Sequence, residues 1–98
     1  MNTIVSGKGV EVTDAIRTYA KEKASKLPLH FDQVKSVEVV LDKHDKHSFA
    51  VELIAHINGS DFHVAKAHAE DLYHCIVEAV TKMERQLTDM KEIRRSKH

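Results

Sequence analysis

Between Leu72 and Met90 the apolar residues fall three and four apart. Leu72, Cys75, Ile76, Ala79, Val80, Met83, Leu87 and Met90 follow this step, and about 3.6 residues per turn gathers them on one helical face. The spacing predicts an amphipathic helix packed on something apolar, with a polar flank that carries Lys82 and Arg85. Upstream the period shortens to two. Val37, Val39 and Leu41 share one face of a strand over 34–41, with Ser36, Glu38 and Asp42 on the other and Val40 breaking the alternation. A polar run over 42–47 reads as a turn, and Phe49, Val51, Leu53, Ala55 and Ile57 share a face of the next strand.

Asn58-Gly59 is the sharpest local signal, because a two-residue type I′ turn needs positive φ at both positions. A tight turn there pairs Ile57 with Ser60 and Ala55 with Phe62. That register places Phe62 and Val64 on the apolar face with Val51 and Leu53, and leaves His56 and His63 on the opposite face. At the other end, Thr3–Ser6 forms a short β-rich run closed by Gly7 and Gly9. Thr13 then suits an N-cap and Asp14 the positive helix end. Ile16, Tyr19, Ala20, Ala24 and Leu27 continue at helical spacing until Pro28. The order is β-α-β-β-β-α, an α+β class with two helices packed on one face of a four-stranded antiparallel sheet.

Ninety-eight residues make one domain, able to bury somewhat more than ~60% of its unfolded surface. Residues 1–91 are expected to form it, and 92–98 a short, flexible basic tail. No apolar run approaches ~18 residues and the N-terminus has no signal-like core, which predicts a cytoplasmic chain without a membrane span. Cys75 is the single cysteine, so no internal disulfide forms, and its apolar neighbours predict a buried thiol. The formal net charge is zero, so the gross signature of a nucleic-acid binder is missing. Its distribution changes that picture. Residues 28–65 hold Lys35, Lys43 and Lys46 against Asp32, Glu38, Asp42, Asp45, Glu52 and Asp61, a net of −3. Residues 13–27 and 89–98 are each net +2. Acid lies mainly on strands and turns, base mainly on helices.

No phosphate-binding glycine loop, nucleophile elbow, paired-Cys metal motif or catalytic Cys/His spacing occurs, so the chain reads as a non-enzyme without a cofactor. His44 and His47 beside Asp45, and Glu70, His74 and Glu78 at i+4 steps, have no distinctive metal-site spacing. They read better as an exposed turn and a solvated helix flank. The basic residues are the stronger candidates. Lys82 and Arg85 lie beside the apolar stripe with Glu78 and Asp89, an arrangement that could equally be an ion-pair ladder contributing a few tenths of a kcal/mol per pair. In the first helix Arg17 and Lys21 stack at i+4, Lys23 falls inside the apolar arc and must snorkel, and Lys26 favours the C-terminal dipole. Two helices with Lys and Arg along their exposed edges suit the phosphates of structured RNA.

Val10-Glu-Val-Thr-Asp-Ala-Ile-Arg17, Lys26-Leu27, Asn58-Gly59, Ala65 to Ala67, Glu70-Asp71-Leu-Tyr73, Ile76 and Lys82-Met-Glu-Arg-Gln-Leu87 closely resemble the bacterial ribosome hibernation-promoting factor and ribosome-associated inhibitor family, over residues 2–91. The resemblance implies a fold similar to double-stranded RNA-binding domains. It implies binding to the small ribosomal subunit and its rRNA in the channel used by tRNA and messenger RNA, holding idle ribosomes inactive in stationary phase or stress. The family's basic positions match Arg17, Lys23, Lys26, Lys82, Arg85 and Lys91. Where relatives usually place a Lys after Arg-Gln-Leu this chain has Asp89, so that contact is lost or passes to Lys91, Arg94 or Arg95. The short basic end resembles short-form members, which favour ribosome dimers together with a separate ribosome modulation factor and are monomers off the ribosome. Two rival readings are a generic double-stranded RNA-binding module and a histidine-based metal-binding or homo-oligomeric protein.

Overall fold

A computed structural model describes residues 2–27, 34–57 and 61–96, with side chains through residue 90. The elements are β1 (Asn2–Lys8), α1 (Asp14–Ala24), β2 (Val34–Lys43), β3 (Phe49–Ile57), β4 (Phe62–Ala69) and α2 (Leu72–Ser96). The strands form one sheet in the order β1-β2-β3-β4, and α2 continues through residues 92–96. The expectation of an all-antiparallel sheet is corrected. β1 pairs parallel with β2, because α1 carries the chain back across the sheet before β2 begins, as a parallel pair requires. The two hairpin pairs, β2–β3 and β3–β4, are antiparallel.

Local chemistry sets the ends of α1. Thr13 has extended backbone geometry, and its hydroxyl accepts from the Ile16 N–H at 3.2 Å, satisfying one of the donors that a helix start leaves open. Gly7 permits the chain to fold back before this cap, since a Cβ there would stand 2.2 Å from the Val10 carbonyl oxygen. Gly9 takes φ +71°, which an L side chain rarely adopts.

The core lies between the helices and one sheet face. Val37, Val39, Leu41, Val51, Leu53 and Ala55 from the strands meet Ala20, Ala24, Ile76, Ala79, Met83 and Leu87 from the helices. Every stripe residue of α2 from Leu72 to Leu87 is buried, and Met90 packs on the core's margin.

The register of β4 departs from expectation by one residue. Asn58-Gly59 lies outside the described residues, but Ala55 faces His63 and His56 faces Phe62, while the Ile57 N–H donates to the Asp61 carbonyl at 2.9 Å. A one-residue slip reverses every side chain. Phe62 and Val64 therefore lie on the uncovered face, Ala65 and Ala67 are buried beneath α2, and His63 shares the covered face with Ala55. Small side chains let the helix backbone approach the strand closely, a requirement that the alternation within β4 does not reveal.

Candidate nucleic-acid interface

Asp71 opens α2. Its carboxylate accepts from the Tyr73 N–H at 3.0 Å and its carbonyl from the Cys75 N–H at 2.9 Å, the geometry of an N-cap. One turn in, the Cys75 thiol donates to the Ala67 carbonyl at 3.3 Å. Burial pushes that thiol above its ordinary range, and the nearby Glu78 charge adds to the effect.

The polar flank of α2 hangs over β4. The Lys82 ammonium donates to the Lys66 carbonyl at 2.9 Å and the Gln86 amide to the Val64 carbonyl at 3.0 Å. These carbonyls are two residues apart, hence on one side of an edge strand, where open backbone groups otherwise invite another strand. Lys82 keeps two further N–H donors for an outside acceptor. The ion-pair ladder does not form: neither Glu78–Lys82 nor Arg85–Asp89 is among the contacts of the described residues. Arg85 stands exposed, one turn along from Lys82.

On α1, a guanidinium nitrogen of Arg17 donates to the Val5 carbonyl of β1 at 3.1 Å. Lys23 snorkels as expected, its ammonium 5.2 Å from the centroid of the Tyr19 ring. Tyr19 in turn meets Tyr73 edge to face, with centroids 4.9 Å apart and planes at 79°. Lys26 is exposed just beyond the helix. Arg17 and Lys82 are thus tied to opposite edge strands, roughly 14 Å apart by strand spacing, with Lys23 and the two tyrosines on the helical layer between α1 and α2. The basic residues form two flanks instead of one patch. Lys91, Arg94 and Arg95 fall on the last turns of α2, where side chains are outside the described set.

The opposite sheet face carries no helix. Ile4 and Phe62 are its most exposed apolar residues, and two acid–base pairs lie between its strands. His56 contacts Glu38 at 2.9 Å and Lys66 contacts Glu52 at 3.9 Å. At one end the His44 and His68 rings stack at 4.7 Å, beside a hollow of about 240 Å³ that Lys8, Asp42 and Lys66 help to line. Asp45 organises the adjoining turn by accepting from the His47 N–H and the Ser48 hydroxyl, which hold its carboxyl below its usual value. No group of three or more potential metal ligands assembles among the described residues.

Residues 3–95 match the family described as Sigma 54 modulation protein / S30EA ribosomal protein. The chain belongs to the S30EA ribosomal protein family. A protein named ribosome hibernation promoting factor from Azotobacter vinelandii is 39% identical over 92 residues, covering 94% of this chain and 84% of the relative. Its namesake from Escherichia coli strain K12 is 36% identical over 92 residues, covering 94% and 95%. The Protein Y N-terminal domain of Thermus thermophilus superposes with TM-score 0.81 at 28% identity, covering 92% of this chain and 99% of that one. A ribosomal subunit interface protein from Coxiella burnetii gives TM-score 0.84 at 22% identity, covering 94% and 99%, and supports the fold.

The S30EA match takes in both helices and all eight basic residues singled out from the sequence, Arg17, Lys23, Lys26, Lys82, Arg85, Lys91, Arg94 and Arg95. Ribosome hibernation is the function for which these relatives are named. Sequence reasoning passed over three side chains. Asp71 was signalled by an Asx residue directly before the helical stripe, and Tyr73 by its place in the Glu70-Asp71-Leu-Tyr motif. Gln86 carried no signal, because its partner lies 22 residues away. No helix of the described residues is long and apolar enough to cross a membrane.

Proposed function

We propose that this S30EA chain is a cytoplasmic ribosome hibernation factor that binds the small ribosomal subunit through its helical face and silences translation by occupancy, without chemistry. The observation that carries this reading is near full-length similarity to proteins named for ribosome hibernation. The geometry supports it. Exposed Arg85 and Lys26, the spare donors of Lys82 and Arg17, and Lys23 in the helical layer offer separated cationic contacts suited to rRNA phosphates. Lys91, Arg94 and Arg95 extend the cationic series along α2. Occupied in this way, the channel for tRNA and messenger RNA is closed, and ribosomes silenced in stationary phase or stress pair into inactive dimers with a separate modulation factor. A chain of zero net charge with segregated base favours one complementary groove over a general coat on RNA.

Binding of purified protein to small subunits across a salt series tests the reading. Neutralising about five phosphates gives a log affinity against log salt slope of roughly −3.5 to −4.5, with saturation near one protein per subunit. Salt-insensitive binding would refute the phosphate mechanism. Equal affinity for arbitrary duplex RNA would favour a generic RNA-binding module. Catalytic turnover in a translation assay at substoichiometric protein would reveal an enzyme.

A further inference from the structure

Of the exposed large apolar side chains, Ile4 and Phe62 belong to the open sheet face, while Tyr73 stands on the helical face with 38% of its surface exposed. Tyr19 is partly buried against the core, and Tyr73 lies further into solvent. The rings of Tyr19 and Tyr73 are near perpendicular, at 79°. In such a pair one ring is engaged by its edge and the other on one face, so in either arrangement Tyr73 keeps at least one face uncovered by Tyr19. Beside this pair, the Tyr19 ring holds the Lys23 ammonium in place. The Asp71 cap holds the backbone N–H of Tyr73 itself, so the exposed ring grows from a fixed point of the helix.

We propose that Tyr73 is a stacking platform for an unpaired base of the bound RNA, with Lys23 on the neighbouring phosphate; this rests on the small-subunit reading above. Bases inside a duplex are stacked on one another and offer no face to a protein ring, whereas a splayed nucleotide offers both a face and an adjoining charge. The lysines and arginines of the flanks hold backbone without regard to pairing. Tyr73 confines the site to RNA that has a free base within reach of the helical layer, and so makes the chain prefer irregular rRNA to plain duplex.

The test is sedimentation binding to purified small subunits over a salt series, with wild type, Tyr73→Phe, Tyr73→Trp, Tyr73→Leu and Lys23→Gln, each checked by thermal melt. Tyr73→Phe and Tyr73→Trp keep an aromatic face and bind as wild type does. Tyr73→Leu weakens binding about 5- to 150-fold at every salt concentration, with an unchanged slope, because stacking carries no charge. Lys23→Gln instead flattens the slope by about 0.7 to 0.9. Ultraviolet cross-linking joins Tyr73 to an rRNA nucleotide that is unpaired in the small subunit. Tyr73→Leu binding as tightly as wild type, Tyr73→Trp losing affinity as Tyr73→Leu does, or a cross-link only to paired nucleotides would overturn the proposal while leaving the small-subunit reading in place. Failure of wild-type protein to bind subunits at any salt would overturn both.

Discussion

The two faces of this sheet are both partly apolar, yet only one became a core. Beneath the helices, Val37, Val39, Leu41, Val51 and Leu53 are almost completely buried, and the polar side chains around that layer reach back to edge-strand carbonyls from Arg17, Lys82 and Gln86. On the open face, Ile4, Val40, Ile54, Val64 and Phe62 stay partly or fully in water, interleaved with the Glu38–His56 and Glu52–Lys66 pairs. The contrast teaches that apolarity along a strand does not select a face. Two amphipathic helices do, and they leave Lys82 and Arg85 exposed on their own outer surface.

The largest expected effect separates the two faces by stability. Ile76→Ala beneath α2 should cost about 2 to 5 kcal/mol through the cavity it leaves, while Ile4→Ala on the open face should stay within about 0.5 kcal/mol. Chemical denaturation of both variants checks this, and comparable losses would mean that the open face is covered in solution. Charge reversal sharpens the comparison by function. Arg85→Glu should lower affinity for small subunits at least about tenfold with a melt close to wild type, since Arg85 has no described partner to lose. Lys66→Glu on the open face should leave binding unchanged, and equal losses would spread the interface over both sides. Lys82→Glu sits between these cases: it should weaken binding and also cost stability of about 0.5 to 1.5 kcal/mol from the lost bond to Lys66.

Thiol chemistry gives a smaller effect. Cys75, buried against β4, should react with a disulfide reagent only as fast as the protein opens, whereas a thiol introduced by Ile4→Cys in a Cys75→Ala background should react at once. Because burial raises the Cys75 pKa, the folded state holds its proton longer than the unfolded chain does. Stability from this group is complete below the ordinary thiol value of 9.0 and falls as pH rises from there through the folded value. Wild type should therefore lose more stability than Cys75→Ala over that alkaline range, as read by denaturation at several pH values. The smallest effect belongs to the open face: Glu38→Gln should cost less than about 1 kcal/mol, because the pair with His56 is substantially exposed.

Reading the chain in one dimension succeeded wherever the determining interactions are local or repeat along one element. The α2 stripe, the Thr13 cap and the alternation in β2 and β3 follow from spacing alone, since a helix or strand buries whichever side the period assembles. Exposure of Lys26, Lys82 and Arg85 follows from spacing in the same way, as polar positions outside an apolar arc. The partners of the basic residues do not. Lys82 meets a carbonyl 16 residues away, Arg17 one 12 residues away, and in place of the alternative i+4 ladder the edge strand takes the Lys82 donor.

The β4 register shows where the tertiary structure alone decides. Phe-His-Val-Ala-Lys-Ala-His-Ala over 62–69 contains two apolar alternations, Phe62 with Val64 and Ala65 with Ala67, and hydrophobicity favours the bulkier pair. Close approach of α2 selects the smaller one. The direction of β1 is likewise settled by the path of α1 across the sheet, and the placing of Lys23 and Tyr73 by the packing of one helix against the other. By itself the sequence determined which residues make each element and which side of each helix is apolar, because those properties repeat within a few residues. Strand direction, register and the grouping of charges into two flanks come from contacts between elements, where shape and the pairing of backbone groups outweigh local preference.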